Sequence, residues 1–205
     1  MSKGRVLITG GAGFIGAHTA VELLRAGYEV RLLDNLTPPI HNGEWPRWLP
    51  DCEKMRGDVR EAADWERALR GVEYVVHLAA HQDLLPNFSK FFHVNSVGTA
   101  HLYETIVAKR LTLRRVVVAS SQFVYGEGRY QCAHDGEVFP DGRSPERLAR
   151  GEWEPVCPRC GGQIAPLPLL ETHATPKNQY SIAKYSQELM AVALGRNFGI
   201  PSVAL

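Results

Sequence analysis

The sequence predicts a doubly wound α/β domain, in which a parallel sheet carries helices on both faces. Three observations predict it. Apolar, β-branched runs recur at 5–9, 29–34, 73–79 and 114–121, with a weaker run at 53–59 and another beginning at 202–205. Helical patterns lie between them, at 14–26, 61–70, 88–109 and 177–197. A glycine-rich turn joins the first run to the first helix.

The strand-like runs are nearly continuous in apolar residues rather than alternating, which suits strands buried on both faces of a parallel sheet. Regular alternation with helices argues for α/β rather than segregated layers. No internal repeat or low-complexity tract is evident. Residues 126–172 break the rhythm: they are rich in Gly, Pro and charge and show little periodicity. A loop that long in a compact domain is functional or otherwise tied down. The last run stops at Leu205, in mid-pattern, so a further C-terminal region beyond this chain is expected.

The 205 residues suffice for one domain with a real core. Formal net charge is +1, so neither a nucleic-acid nor a membrane surface is expected, and no apolar run reaches the length of a membrane span. Lys3 and Arg5 lead straight into a strand-like run without a signal-peptide core. Four cysteines, unevenly spaced, do not make a disulfide framework, and a reducing cytoplasm is the expected compartment.

Gly10, Gly13 and Gly16 follow the first strand and open the first helix. A residue without Cβ lets the backbone approach a pyrophosphate, and the helix N-terminus offers free N–H groups and a positive dipole end. A turn that merely packs tightly would carry the same glycines, but here the strand-turn-helix setting of a Rossmann-type site is present. Asp34 ends the second strand, where a carboxylate accepts from the adenosine ribose and repels a 2′-phosphate. Asn35 supplies no compensating cation, so NAD is expected over NADP.

Tyr180 and Lys184 are four apart on a predicted helix and share a face. One reading is a tyrosine acid/base tuned by the ammonium group; such a pair also arises by chance. Ser121 ends the strand run at the carboxyl edge of the sheet, where ligands bind in this architecture, although strand-end serines commonly cap turns.

Taken together, "TGGAGFIG" (9–16), "DNL" (34–36), "GDVR" (57–60), "HLAA" (77–80), "NSVGT" (95–99), "SSQFVYG" (120–126) and "YSIAK" (180–184) stand in an order that resembles the extended short-chain dehydrogenase/reductases, the sugar-nucleotide epimerases and dehydratases. The resemblance runs from about residue 3 to 205. It implies an NAD enzyme with Tyr180 as acid/base, Lys184 on the nicotinamide ribose and Ser121 as hydroxyl partner. It implies cofactor contacts from Gly10, Gly13, Phe14, Ile15, Gly16, Asp34 and Asn35. Asp58 and Val59 would meet the adenine, and Leu78, Ala79 and Ala80 would line the cleft. Asn95 would support the site from the helix beneath, or simply be a helix-packing amide. His81 lies close enough to that stretch to touch substrate.

Dehydratases of this kind follow the hydroxyl residue with an Asp-Glu pair, and decarboxylases carry an acid in the same turn. Gln122 and Phe123 stand there instead. The resemblance therefore implies inversion at C4 of a nucleotide sugar through a transient 4-keto sugar, with a dehydrogenase, reductase or dehydratase as alternatives. A non-catalytic NAD-binding regulatory protein is the alternative of another class. The family's C-terminal region grips the sugar nucleotide, so this chain alone is expected to be inactive, and the family commonly pairs two long helices in a homodimer.

Cys132, His134, Cys157 and Cys160 lie in the 126–172 insert and form a Cys₃His set suited to tetrahedral zinc, with His173 in reserve. Gly161 and Gly162 leave backbone N–H groups free for the thiolates, as in zinc knuckles. Four protein ligands leave no open position, so the zinc is expected to be structural. A reduced, unbound pair is the plain alternative. The insert resembles one in family members that handle deoxyhexose nucleotides. Cys52, His77, His93 and His101 lack metal spacing and are expected to pack or face solvent.

Overall fold

The computed structural model describes residues 2–38 and 40–205. In chain order the elements are β1 (Arg5–Thr9), α1 (Phe14–Arg25), β2 (Glu29–Asp34), β3 (Glu53–Arg56), α2 (Ala62–Ala68), β4 (Tyr74–His77), α3 (Phe88–Phe91), α4 (Gly98–Ala108) and β5 (Arg115–Val118). There follow β6 (Arg129–Cys132), β7 (Gly136–Val138), α5 (Pro145–Ala149), β8 (Ile164–Leu167), α6 (Gln179–Asn197) and β9 (Ser202–Ala204). The chain forms two compact units: residues up to Ser121 with Ile182–Leu205, and Gln122–Ser181.

The first unit holds a six-stranded sheet ordered β3-β2-β1-β4-β5-β9, and every pairing in it is parallel. The strand order reverses between β1 and β4, the place where ligands bind in open parallel sheets. The central strands are buried along nearly their whole length, which is why the sequence shows runs rather than alternation. Leu7, Leu33, Val75, Val116, Trp65 and Leu102 belong to the core on one face. Val6, Ile8, Ala17, Ala20 and Leu32 belong to the core on the other. Small residues at Ala17 and Ala20 let α1 lie close to the sheet.

Two expectations change in the first unit. The weak strand at 53–59 ends at Arg56, because Gly57 and Asp58 turn away to bond Asp34 O and the Asp64 carboxylate. The single helix expected over 88–109 is interrupted by a π-helical stretch, Phe92–Val97. A wide turn of this kind is common at functional sites.

The second unit holds a three-stranded antiparallel sheet, β7-β6-β8, where the sequence showed little periodicity. Its strands have only three or four residues each, too short for a legible pattern. Pro166 is tolerated because β8 is an edge strand. The small core is Cys132, Val138 and Cys157, with Tyr130 and Ile164 against it. So few apolar residues cannot hold 60 residues together without another tie.

Candidate functional site

In the first unit, β1 delivers the chain to Gly10, which adopts φ +68°, a conformation that favours glycine. A Cβ there would lie 2.8 Å from the Ala79 backbone nitrogen, and one on Gly16 would lie 2.2 Å from the Gly10 carbonyl oxygen. The glycines therefore bring the turn after β1 against Leu78 and Ala79, just past β4. The link is reinforced by Leu78 N–H donating to Thr9 O at 3.2 Å and Ala79 N–H donating to Thr9 Oγ1 at 3.1 Å. Helix α1 begins at Gly13 without a side-chain cap and without an acid in its first turn. Its leading N–H groups and dipole are thus positioned for an external anion. Phe14 and Ile15 are exposed on that first turn.

Asp34, at the end of β2, is buried. Its Oδ2 accepts from Ala12 N–H at 3.0 Å and its Oδ1 from Leu36 N–H at 2.9 Å. Each oxygen keeps a further lone pair for a ligand hydroxyl. Leu36 sits at φ +57°, a strained conformation for a γ-branched residue, and the Asp34 carboxylate holds that turn. Asn35 Nδ2 donates to Asp58 Oδ2 at 3.0 Å, tying the ends of β2 and β3 together. Burial pushes the Asp58 carboxyl up, but bonds from the Arg60 side chain and backbone and from Asn35 outweigh it and hold it at about 2. Arg60 is thereby engaged with Asp58 rather than with Asp34. His41 does approach Asp34, at 4.0 Å. The Val59 carbonyl accepts from Trp65 Nε1 at 2.8 Å.

Asn95 lies in the π-helical stretch and is fully buried. Its Oδ1 accepts from His81 N–H at 2.7 Å and its Nδ2 donates to His81 O at 3.1 Å. The amide thus brackets the backbone just after Ala80. The His81 ring packs edge-on to Phe91 and lies 2.9 Å from Asp83.

Beneath β4 runs a buried polar network that sequence reasoning did not find. Thr99 Oγ1 donates to Asn95 O and accepts from Gln187 Nε2, at 2.6 and 2.7 Å. His77 Nε2 must then donate to Thr99 Oγ1 at 3.0 Å, and its Nδ1 accepts from Thr9 Oγ1 at 2.6 Å. The ring is neutral: burial, helped by the charge of Lys184, depresses it to about 3. Thr9 and Thr99 are weak signals in a sequence, since β-branched residues are ordinary in strands and helices.

Lys184 is buried, with 2% exposure, and among the described residues it makes no ion pair. Burial pushes its ammonium down to about 8. A buried cation without a carboxylate is costly unless a ligand supplies acceptors. Tyr180 stands four residues before it in α6 (Gln179–Asn197). Tyr180 belongs to the second unit, where the Phe123 ring meets it edge-on at 5.9 Å and 83°. Ser121 is the last residue of the first unit before the break. Next to it, Ser120 Oγ donates to Glu188 Oε2 at 2.6 Å, which anchors the end of this segment to α6 within the same unit.

In the second unit, Cys132, Cys157 and Cys160 converge as the sequence predicts, and the fourth member differs. The ligand atoms of Cys132, Asp135, Cys157 and Cys160 all lie within 4.8 Å of one another. His134 is exposed and stands outside this group; the turn after Cys132 directs the next residue, Asp135, inward instead. His173 stacks on Phe139 at 3.8 Å and is not in the group either. N–H groups of Asp135 and His134 lower the Cys132 thiol, whereas the Asp135 carboxylate pushes Cys160 up to about 12. The same unit has a cavity of about 350 Å³ whose lining includes Phe123, Tyr125, Arg129, Tyr130 and Leu167.

Comparison with known proteins places this geometry. Residues 6–145 match the family model described as NAD dependent epimerase/dehydratase family. The chain is 33% identical over 191 residues to the dTDP-L-rhamnose 4-epimerase of Burkholderia thailandensis, covering 90% of this chain and 52% of that protein. It is 34% identical over 164 residues to a bifunctional UDP-glucose and UDP-xylose 4-epimerase of Arabidopsis thaliana, covering 71% of this chain and 46% of that one. The Thermus thermophilus UDP-glucose 4-epimerase, solved in complex with NAD, superposes with a TM-score of 0.67 at 27% identity, over 98% of this chain and 53% of that one. The chain thus spans about half the length of the relatives it matches. No helix among the described residues is long and apolar enough to cross a membrane.

Proposed function

From a chain that belongs to the NAD dependent epimerase/dehydratase family, we propose the cofactor-binding and proton-transfer part of a nucleotide-sugar 4-epimerase. The observation that carries the choice of reaction is the packing of Phe123 against Tyr180. A dehydratase needs an acid in this turn to expel water; a phenyl ring can neither give nor take a proton.

The residues fit NAD. Gly10 lets the turn after β1 pack directly on the Ala79 backbone, the uncapped start of α1 suits a pyrophosphate, and Asp34 keeps lone pairs for ribose hydroxyls. Gly13, Phe14, Ile15 and Gly16 would line the phosphates, and Asn35, Asp58 and Val59 the adenine. Leu78, Ala79 and Ala80 would border the cleft, held from below by Asn95. Lys184, buried and without an ion pair among the described residues, would hold the nicotinamide ribose. When bound, NAD would take up and return the hydrogen at sugar C4 with its electron pair.

Tyr180 would take the proton from the C4 hydroxyl and give it back, with the Lys184 cation favouring the phenolate. Ser121 would hydrogen-bond the same oxygen and hold it for transfer. Between the two transfers the 4-keto sugar would turn over, so that the hydrogen returns to the other face. No net oxidation results.

Zinc is proposed as the second bound group, a structural ion in the second unit that ties a segment with a very small core. A homodimer is proposed through the outer faces of α4 and α6, where Val107, Ile182, Leu189 and Val192 are exposed. Four cysteines without a disulfide suit a cytoplasmic setting.

The test gives the full-length protein a panel of nucleotide sugars, with NMR of the sugar ring. The proposal expects inversion at C4 without stoichiometric NADH. Loss of water, or NADH formed in step with substrate, would overturn it.

A further inference from the structure

Resting on the zinc reading above, we infer that the metal is held by Cys132, Asp135, Cys157 and Cys160, with Asp135 as the fourth ligand in place of a histidine.

The inference stands on a short internal symmetry. The segments "CAHDG" (132–136) and "CPRCG" (157–161) have the same spacing: a cysteine, two residues, a second ligand type, and a glycine. Both glycines are left-handed, Gly136 at φ +71° and Gly161 at φ +72°. In the second segment Arg159 N–H donates to Cys157 Sγ at 3.4 Å. Asp135 therefore occupies in the first turn the place that Cys160 occupies in the second.

The distances suit a tetrahedral ion. Zinc–sulfur bonds of about 2.3 Å at the tetrahedral angle put neighbouring ligand atoms roughly 3.8 Å apart, and a carboxylate oxygen slightly nearer. Cys132 Sγ and Cys160 Sγ are 3.5 Å apart. Asp135 Oδ2 is 3.6 Å from Cys132 Sγ and 3.1 Å from Cys157 Sγ. Three thiolates and a carboxylate around Zn²⁺ leave a net charge of −2, by formal count. Arg159 supplies a counter-charge: its Nη1 donates to Asp135 O at 3.3 Å. A carboxylate bonds zinc through oxygen at a length close to histidine nitrogen, so the exchange preserves the geometry.

The site also has a mechanical place. Cys132 ends β6 and pairs with Ile164 in β8, and the Val156–Gln163 bridge closes the turn that carries Cys157 and Cys160. An ion here would lock one end of β6 and β8; their other end, at Arg129, Tyr130, Pro166 and Leu167, lines the cavity of this unit.

The test is zinc content and a chelator competition on the purified protein, with circular dichroism as a fold check. Wild type is expected to carry one zinc per chain. His134→Ala should retain it against the same chelator concentration as wild type. Asp135→Ala should release it at a concentration at least tenfold lower. Asp135→Cys should restore retention, and with cobalt in place of zinc its absorption should shift toward that of a four-thiolate tetrahedral site. Zinc lost in His134→Ala and kept in Asp135→Ala would overturn this ligand set while leaving the zinc reading intact. A wild-type protein without zinc, after growth and purification in zinc-replete, chelator-free buffers, would overturn the zinc reading itself.

Discussion

Gly10 and Ala79 stand so close that a single methyl group on Gly10 would sit 2.8 Å from the Ala79 backbone nitrogen. The turn after β1 and the segment after β4 thereby form one wall at the strand-order reversal. Gly10→Ala adds a left-handed penalty of about 1–2 kcal/mol to that clash. Denaturant unfolding should show a loss of at least about 2 kcal/mol, and calorimetry should show weakened NAD binding. An unchanged midpoint with wild-type binding would contradict this reading of the turn.

Asp34 should set the choice between NAD and NADP. Its oxygens already accept from Ala12 and Leu36 N–H groups, which orients them. Calorimetry is expected to show NAD bound much more tightly than NADP, and Asp34→Ala to narrow the gap while lowering affinity for both. Equal affinities in the unaltered protein would refute it.

His77 should make the fold acid-sensitive. Its folded value of about 3 lies below its ordinary 6.5, so the unfolded chain binds more protons between these values. Stability therefore falls as pH drops below 6.5, by about 3 kcal/mol from this one group at pH 4. Urea midpoints taken across that range should show the slope, and His77→Gln, though less stable at neutral pH, should show a shallower one. Equal slopes in the two proteins would remove His77 as the cause.

Lys184 should act at the other end of the scale. Burial lowers its ammonium to about 8 from 10.5, so the folded state again binds fewer protons and the ligand-free protein gains stability as pH rises from 8 toward 10.5. Urea unfolding of Lys184→Met should show that gain abolished and a stability at pH 7 at least equal to the parent's. A Met variant that keeps the alkaline gain would place the titration elsewhere.

The nucleotide-binding half of the fold was legible because its signals are strong. Buried parallel strands read as apolar runs, and β1 and β2 match the predicted bounds of 5–9 and 29–34. The π-helical stretch around Asn95 was not legible, since one widened turn leaves the apolar pattern almost unchanged. Nor was the sheet of the second unit, whose strands are too short and include Pro166. The thiols of Cys132, Cys157 and Cys160 were found from their spacing. Asp135 was missed because histidine is the commoner partner of cysteine; the parallel between "CAHDG" and "CPRCG" was the available signal. The Thr9–His77–Thr99–Gln187 network depends on long-range contacts that no local pattern encodes.

The most direct test of the central claim follows one atom. A nucleotide sugar that the full-length protein inverts is prepared with deuterium at C4 and incubated in ordinary water. If Tyr180 moves only the hydroxyl proton and the C4 hydrogen leaves and returns on the bound cofactor, the inverted product keeps its deuterium. Tyr180→Phe should lower the rate about 10²–10⁴-fold. Deuterium lost to water, or appearing in released NADH without inversion, would contradict the account.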